Sequence, residues 1–200
     1  MISIYQLKPR FQQALQPICN FLYRQGFTAN QVTTAAIVLS AALGFLFLSY
    51  PHAAIVLLLI PIGLLVRMGL NALDGMMARQ YGMESKLGQV LNELGDVLSD
   101  LFIILPLAII STIHSGVIIL FAMLTILNEF AGILGQAMGG ARRYEGPMGK
   151  SDRAFIIGLF CLVGYYWQDV FLYGNIIFGV ASILLIISTF SRLRNAIRLV

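Results

Sequence analysis

The chain has 200 residues, of which 58% are hydrophobic and only 11% are charged, and its mean hydropathy is +0.85. Soluble domains carry about 25% charged residues, so this composition excludes an ordinary soluble protein and predicts one all-α integral membrane domain over residues 1–200. The net charge of +4 does not indicate a nucleic-acid partner, because basic residues in membrane proteins set topology and contact anionic membrane lipids.

The first 28 residues mix apolar and basic side chains, which is typical of an amphipathic helix lying in the membrane interface. Gly26 can end this segment, and Thr28 or Asn30 can cap the next helix. Six transmembrane helices are predicted within residues 31–191. Their predicted ranges are 31–50, 53–79, 86–112, 116–138, 153–168 and 171–191.

Basic residues are distributed very unevenly about these six predicted spans. Twelve of the 13 lysines and arginines fall at the termini or in the connections on one side of the membrane. The positive-inside rule makes that side cytoplasmic, with both chain termini inside, and the short connections suggest a bacterial inner membrane. The remaining basic residue, Arg67, lies within the second span, where a charge is costly and requires a partner or a wet cavity.

Polar side chains form stripes on the second and third predicted spans, close to the cytoplasmic turn that joins them. Asn71 and Asp74 share a face of the second span, and Asn92, Asp96 and Asp100 follow four-residue steps on the third. Crowded carboxylates repel unless a cation lies among them, and oxygen ligands favour Mg²⁺, Mn²⁺ or Ca²⁺ over zinc. A divalent ion beside a membrane indicates a phosphate-bearing substrate.

A gapped motif across these two spans resembles the signature of the CDP-alcohol phosphatidyltransferase family, and the resemblance extends over about the whole chain. The motif reads Asp74-Gly75-x2-Ala78-Arg79-x8-Gly88-x3-Asn92-x3-Asp96. The resemblance implies transfer of a phosphatidyl group from CDP-diacylglycerol to a small alcohol, with release of CMP, in phospholipid biosynthesis. It also implies a site in which four acids bind two divalent ions, with Mg²⁺ or Mn²⁺ as the cofactor, and a homodimer as the assembly.

The same resemblance implies a role for each matching position. Asp96 is a metal ligand and the general base on the acceptor hydroxyl, while Asp74 is a metal ligand. Ser85 stands where family members often place a hydroxyl near the donor. The implied contacts to the nucleotide and donor are therefore Gly75, Ala78, Arg79, Ser85 and Gly88.

The chain departs from the family pattern at the first and third acid positions, which hold Asn71 and Asn92. Asparagine can ligate a hard ion through its carbonyl oxygen but supplies no charge. Three interpretations stay open. The site holds two ions, with Asp100 or Glu93 among the ligands; it holds one ion, with Arg67 or water replacing part of the other; or it has lost activity and keeps a nucleotide or lipid pocket.

The longest polar stretch joins the fourth and fifth predicted spans. It is explained either as a positive-inside loop or as an anion pocket, and in the family that it resembles, basic residues here bind the phosphate of the acceptor. The second explanation favours a phosphorylated acceptor such as glycerol 3-phosphate. Glu129, inside the fourth span, either lines the cavity or pairs with Arg67. The candidate acceptor-binding residues are Arg142, Arg143, Lys150 and Arg153.

Two functions from other classes also stay open at this point. The first is a non-catalytic membrane protein that binds a CDP-linked lipid or a phospholipid. The second is a transporter of cations or metabolites, because intramembrane charges also mark transport pathways.

Overall fold

The structure is a computed structural model that describes residues 8–198, with side chains from residue 10 onward. Within that range it is helical and contains no β-strand. The predicted interfacial segment corresponds to the first helix, although residues 1–7 lie outside the described range. The α-helices are α1 (Lys8–Arg24), α2 (Ala29–Ser49), α3 (Ala54–Gln80), α4 (Lys86–Ile104), α5 (Ser115–Ala137), α6 (Lys150–Tyr166) and α7 (Gly174–Ile197).

The turn between α1 and α2 follows the residues expected to form it. Gly26 has a φ of +80°, a left-handed conformation that glycine adopts without steric cost. The Thr28 side chain accepts a hydrogen bond from the backbone N–H of Gln31, and the Gln31 side chain accepts one from the backbone N–H of Thr28. This reciprocal capping box confirms Thr28 as the residue that begins α2.

Two predicted spans end at different places in the structure. The predicted span 86–112 is too long as a single α-helix, because α4 ends at Ile104 and continues as a 3₁₀ segment, Leu105–Ile109. Pro106 explains this boundary, since proline lacks a backbone N–H and its ring clashes with the preceding helical turn. The predicted span 171–191 is too short at its C-terminal end, because α7 runs on to Ile197.

The helices form a bundle whose successive members run in opposite directions. The helix α2 packs against both α3 and α4, α3 packs against α6, and α5 packs against α7, while α1 lies along α3. Large apolar side chains fill the centre of the bundle, among them Leu57, Ile104, Phe121, Phe160, Phe178 and Leu185. The N-terminal ends of α2, α4 and α6 therefore meet the C-terminal ends of α3, α5 and α7 at one end of the bundle.

The distribution of polarity is inverted relative to that of a soluble protein. Phe45 and Leu65 are 73% and 70% exposed, whereas Arg153 and Arg192 are only 1% and 2% exposed. Charges inside and apolar side chains outside are what a lipid environment requires. Four helical segments of the described chain are long and apolar enough to cross a membrane: Ala29–Ser49, Ala54–Gln80, Ser115–Ala137 and Gln168–Ile197.

Candidate functional site

Two buried carboxylates lie at the polar end of the bundle, one on α3 and one on α4. Asp74 and Asp96 are each 5% exposed. Thr33 of α2 donates a 2.7 Å hydrogen bond from its hydroxyl to Asp74 Oδ2, and Asn71 donates a 3.0 Å bond from its amide to Asp96 Oδ1. The helices α2, α3 and α4 thus hold the two carboxylates that the sequence predicted as metal ligands.

A cation from α6 completes the surroundings of Asp96. Asp152 accepts a 2.8 Å hydrogen bond from the backbone N–H of Gly149, which fixes the first turn of α6. This turn presents Lys150, whose ammonium group forms an ion pair with Asp96 Oδ2 and remains 28% exposed. Asp96 therefore accepts from both a neutral amide and a positive charge.

The motif glycines lie where side chains from neighbouring turns need space. A Cβ atom on Gly75 would lie 3.3 Å from Nη1 of Arg79, which folds over the glycine. A Cβ atom on Gly88 would lie 2.7 Å from Oδ1 of Asn30 on α2. Ser85 caps α4 by accepting a 2.9 Å hydrogen bond from the backbone N–H of Gly88. The motif residues Gly75, Arg79, Ser85 and Gly88, which the sequence predicted as donor contacts, thus lie around the α3–α4 turn.

Arg79 is exposed at the edge of that surface and takes part in none of the ion pairs between described residues. It lines a groove of about 650 Å³ between α1 and α3. Ala78, one residue earlier, packs with the apolar cluster that joins these two helices. A guanidinium group with open N–H groups is suited to bind phosphate oxygens.

Asp100 is not brought to the pair formed by Asp74 and Asp96. One of its oxygens accepts from Arg67 at 2.7 Å, and the other accepts from Arg153 Nε and Nη2 at 2.9 and 2.6 Å. Its carboxylate is 4% exposed and is committed to two guanidinium groups. The structure therefore places Asp100 in an ion-pair network, with Arg67 as its partner.

Glu129 is the centre of the remainder of this network. It is 1% exposed and accepts from Arg153 at 2.8 Å and from Arg142 at 2.9 Å, with Arg192 at 3.7 Å. Arg142 also pairs with Glu93 at 2.6 Å. Neither alternative expected for Glu129 describes this arrangement, because it pairs with arginines other than Arg67.

Asn92 is exposed and lines a second groove, of about 800 Å³, between α4 and the chain after α5. Glu93, Arg142 and Tyr144 line the same groove. The guanidinium carbon of Arg142 lies 4.6 Å from the centre of the Tyr144 ring, within the range of a cation–π contact. Asn92 thus lies in this groove with Arg142, one helical turn before Asp96.

The four candidate acceptor-binding cations differ in their freedom to bind an anion. Arg153 is buried between two carboxylates. Arg143 pairs with Glu145 at 3.2 Å, but its Nε and Nη2 are buried without a hydrogen-bond partner. Burial alone would lower the pKa of Arg142, but Glu129 and Glu93 raise that pKa overall, so Arg142 stays charged. Arg143 thus keeps two buried nitrogen atoms without a partner, and its side chain is not among those that line the groove with Arg142.

The donor set can be compared with the divalent ion that the motif implies. Asp74 and Asp96 are hard oxygen ligands, and Asn71 has a carbonyl oxygen beside them, which suits one Mg²⁺ or Mn²⁺. Across residues 10–198, no three acidic, histidine or cysteine side chains are grouped so that they could hold a metal ion. The residues present therefore fit one ion and do not supply the carboxylates for a second.

Two residues of this site were not predicted from the sequence as site residues, namely Asn30 and Thr33 on α2. Their signal is a polar spacing of three residues at the start of an otherwise apolar helix. That spacing puts both side chains on one face, which is the face that packs against α3 and α4. Helix capping explained Asn30 equally well on sequence alone.

Comparison with known proteins identifies the class to which this fold and site belong. The family model for CDP-alcohol phosphatidyltransferase matches residues 27–190. The inner membrane protein YnbA of Escherichia coli K12 is 42% identical over 196 residues, which are 98% of this chain and 97% of that protein. The chain therefore belongs to the CDP-alcohol phosphatidyltransferase family.

Solved structures agree on the fold. Crystal structures of the Mycobacterium tuberculosis phosphatidylinositol phosphate synthase PgsA1 match with a TM-score of 0.75 at 19% identity. One has CDP-DAG bound and covers 90% of this chain and 92% of its own. The other is a complex with manganese and citrate and covers 90% of this chain and 87% of its own.

Proposed function

We propose that this protein transfers a phosphatidyl group from CDP-diacylglycerol to a small alcohol and releases CMP, as a step of phospholipid biosynthesis. The observation that carries the proposal is the buried pair Asp74 and Asp96, within a motif of the assigned family whose Arg79 folds over Gly75. The CDP-DAG complex of the structurally similar synthase supports the choice of donor.

In the proposed reaction, Asp96 removes the proton of the acceptor hydroxyl, whose oxygen then attacks the phosphatidyl phosphorus. The bond from that phosphorus to the oxygen bridging to CMP breaks, and CMP leaves. Arg79 holds the donor phosphates, and Asp74, Asp96 and the Asn71 carbonyl would hold Mg²⁺ or Mn²⁺. When bound, such an ion neutralises charge on the pyrophosphate. Because a carboxylate beside cations is a weak base, positioning of Asp96 by Asn71 supplies much of its effect.

The acceptor is proposed to bind on the α4–α5 side of the pair and to carry a phosphate. Lys150 is partly exposed next to Asp96, and Arg142 lines the groove on that side. Arg142 and Arg153 are engaged with carboxylates, so we assign them to the walls of this pocket. A phosphorylated acceptor suits these basic side chains better than a neutral alcohol does.

The membrane arrangement is proposed to comprise six spans, with α1 in the interface and both termini in the cytoplasm. The helices α4 and α6 pack among the four long apolar segments, which supports their crossing the bilayer as well. The name of the Escherichia coli relative supports a location in the bacterial inner membrane. A homodimer remains a proposal from the family resemblance.

The decisive experiment measures CMP release by the purified full chain in lipid nanodiscs with CDP-diacylglycerol. Mg²⁺ or Mn²⁺ is supplied with a panel of neutral and phosphorylated alcohols. We expect CMP with a phosphorylated acceptor, and we expect its loss in Asp96→Asn but not in the control Asp169→Asn, which lies at the opposite end of the bundle. Absence of CMP with every acceptor and metal, while CDP-diacylglycerol still binds, would reject transfer.

That rejecting outcome corresponds to a second candidate function, a non-catalytic protein that binds a CDP-linked lipid. The observation that favours it is the loss of two acids from the motif together with the ion pair between Lys150 and Asp96. Binding would then be the same in the wild-type protein and in Asp96→Asn.

A further inference from the structure

At the polar end of the bundle, positive and negative side chains are equal in number. One of the cations, Lys150, pairs with Asp96, a member of the central carboxylate pair. Side chains of both signs are joined or adjacent there in one group. The cations are Arg67, Arg142, Lys150, Arg153 and Arg192. The carboxylates are Asp74, Glu93, Asp96, Asp100 and Glu129. The group is therefore neutral before any ion or substrate binds.

A site with four carboxylates for two divalent ions would carry a strong negative charge until the ions bind. This chain has Asn71 and Asn92 at two of those positions, and Asn71 presents its N–H₂ group, a donor, to Asp96. Because the group of side chains carries no excess negative charge, a second divalent ion is only weakly attracted to it. The negative diphosphate of a CDP-linked donor can offset the positive charge of one divalent ion bound beside Asp74 and Asp96.

The cation at the Asp96 carboxylate is Lys150, not Arg67. Arg67 is committed to Asp100 and reaches Asp96 only at the backbone oxygen, at 3.5 Å. Lys150 bonds the Asp96 carboxylate itself and keeps 28% of its side chain exposed, so it can also contact a substrate. Its position at the first turn of α6 aims it at the end of the bundle where α3 and α4 carry the motif.

We propose that the Lys150 ammonium replaces one of the two ions of the family's site, so that this protein binds a single divalent ion. The inference rests on the proposed function only for the identity of the ligand, a CDP-linked lipid. The oxygens of Asp96 keep a second lone pair each, so that the ion pair with Lys150 and ligation of one ion are compatible.

The test counts Mn²⁺ ions on the full chain in nanodiscs containing CDP-diacylglycerol, with free Mn²⁺ followed by electron paramagnetic resonance. We expect one Mn²⁺ per chain in the wild-type protein. Lys150→Gln removes a charge that opposes the ion, so its Mn²⁺ affinity should rise by roughly tenfold. The triple variant Asn71→Asp, Asn92→Asp, Lys150→Gln should bind two ions.

Two controls separate the charge of Lys150 from an effect on folding. Lys150→Arg keeps the charge and should keep the wild-type affinity. Lys86→Gln is the same substitution at an exposed lysine at the start of α4 and should change nothing. Two Mn²⁺ ions on the wild-type protein, or an unchanged affinity in a folded Lys150→Gln variant, would overturn the inference. The number of bound Mn²⁺ ions is measured without turnover. A failure of CMP release would therefore reject the transferase proposal but would not change the outcome of the Mn²⁺ measurement.

Discussion

At the scale of single residues, the site depends on side chains that fix the carboxylates rather than on the carboxylates alone. Thr33 holds Asp74 from α2, and Asn71 holds Asp96 from α3. Groups of this kind set the orientation of a ligand, and their removal commonly lowers metal affinity or activity by about 10- to 100-fold. Asn71, which departs from the family motif, therefore has a defined positioning role in this chain.

Thr33→Val removes the hydroxyl that donates to Asp74 while keeping the shape of the side chain. We expect the Mn²⁺ concentration for half-maximal binding to rise by about tenfold, because Asp74 loses its fixed orientation. Thr33→Ser keeps the hydroxyl and should remain close to the wild-type protein. The measurement is Mn²⁺ titration of both variants, and equal affinities for the two would remove Thr33 from this role.

At the scale of helices, a chain of buried ion pairs holds the bundle together beside the site. Asp100 on α4 binds Arg67 on α3 and Arg153 on α6, and Arg153 continues to Glu129 on α5. Each of these side chains is 4% exposed or less. Removing one member of such a network leaves an uncompensated buried charge, which costs far more than the loss of an exposed pair.

Arg153→Met should therefore be strongly destabilising, by about 3–5 kcal/mol, because it leaves Asp100 and Glu129 with fewer counter-charges. The matched control is Arg143→Met, whose partner Glu145 is 36% exposed and whose ion pair should contribute about 0–1 kcal/mol. Unfolding of both variants in the same detergent checks the difference. Equal stabilities would mean that water or lipid headgroups reach the network.

Close helix packing gives a second prediction at this scale. A Cβ atom on Gly44 of α2 would lie 2.0 Å from the carbonyl oxygen of Phe102 on α4, a carbonyl that Pro106 leaves without its α-helical N–H partner. Gly44→Ala should cost about 1–3 kcal/mol through overpacking. Gly179→Ala, on α7 with nothing within 4 Å of the added atom, should be neutral or stabilising by up to about 1 kcal/mol. Thermal unfolding of the two alanine variants tests this contrast.

The sequence predicted the helical fold and put Asp74 and Asp96 on consecutive helices joined by a short turn, because both follow from local periodicity. It did not predict that Asp100 belongs to an ion-pair network. Asp100 follows Asp96 by one helical turn, but its partner Arg153 is 53 positions away, and such a pairing depends on how α4 and α6 pack. The sequence did not predict the end of α4 for a different reason. Pro106 lies inside an apolar run, and such a run is typical of one continuous span.

At the scale of the whole molecule, the ion pairs between described residues lie around one end of the bundle. Each of them links two different elements, except the pair of Arg143 with Glu145 within one loop. Exposed aromatic and aliphatic side chains cover the rest. This asymmetry supports one orientation in the membrane, because the positive-inside rule puts the charged end in the cytoplasm. The substrate of the proposed reaction would then reach the site from the cytoplasm and the inner leaflet.

Cysteine labelling of intact cells tests this orientation and the six spans together. Cys19 and Cys161 are buried and are first replaced by alanine, and single cysteines are then placed at exposed positions on both sides of the bundle. Substitutions in the turns after α2, α4 and α6 should react with a membrane-impermeant maleimide in cells whose outer membrane is permeabilised. The variants are His52→Cys, Ser111→Cys and Asp169→Cys.

The opposite result is expected for Glu84→Cys and Ala141→Cys, which lie in the turns on the charged side of the bundle. These two should react only after the inner membrane is broken. The pair Glu84→Cys and Ser111→Cys tests whether α4 crosses the membrane, because it brackets the span that carries Asp96. If both variants react in intact cells, α4 does not cross the membrane. Substrates could then not reach a site between α3 and α4 from the cytoplasm alone. The orientation of the whole bundle therefore determines which compartment can supply the acceptor.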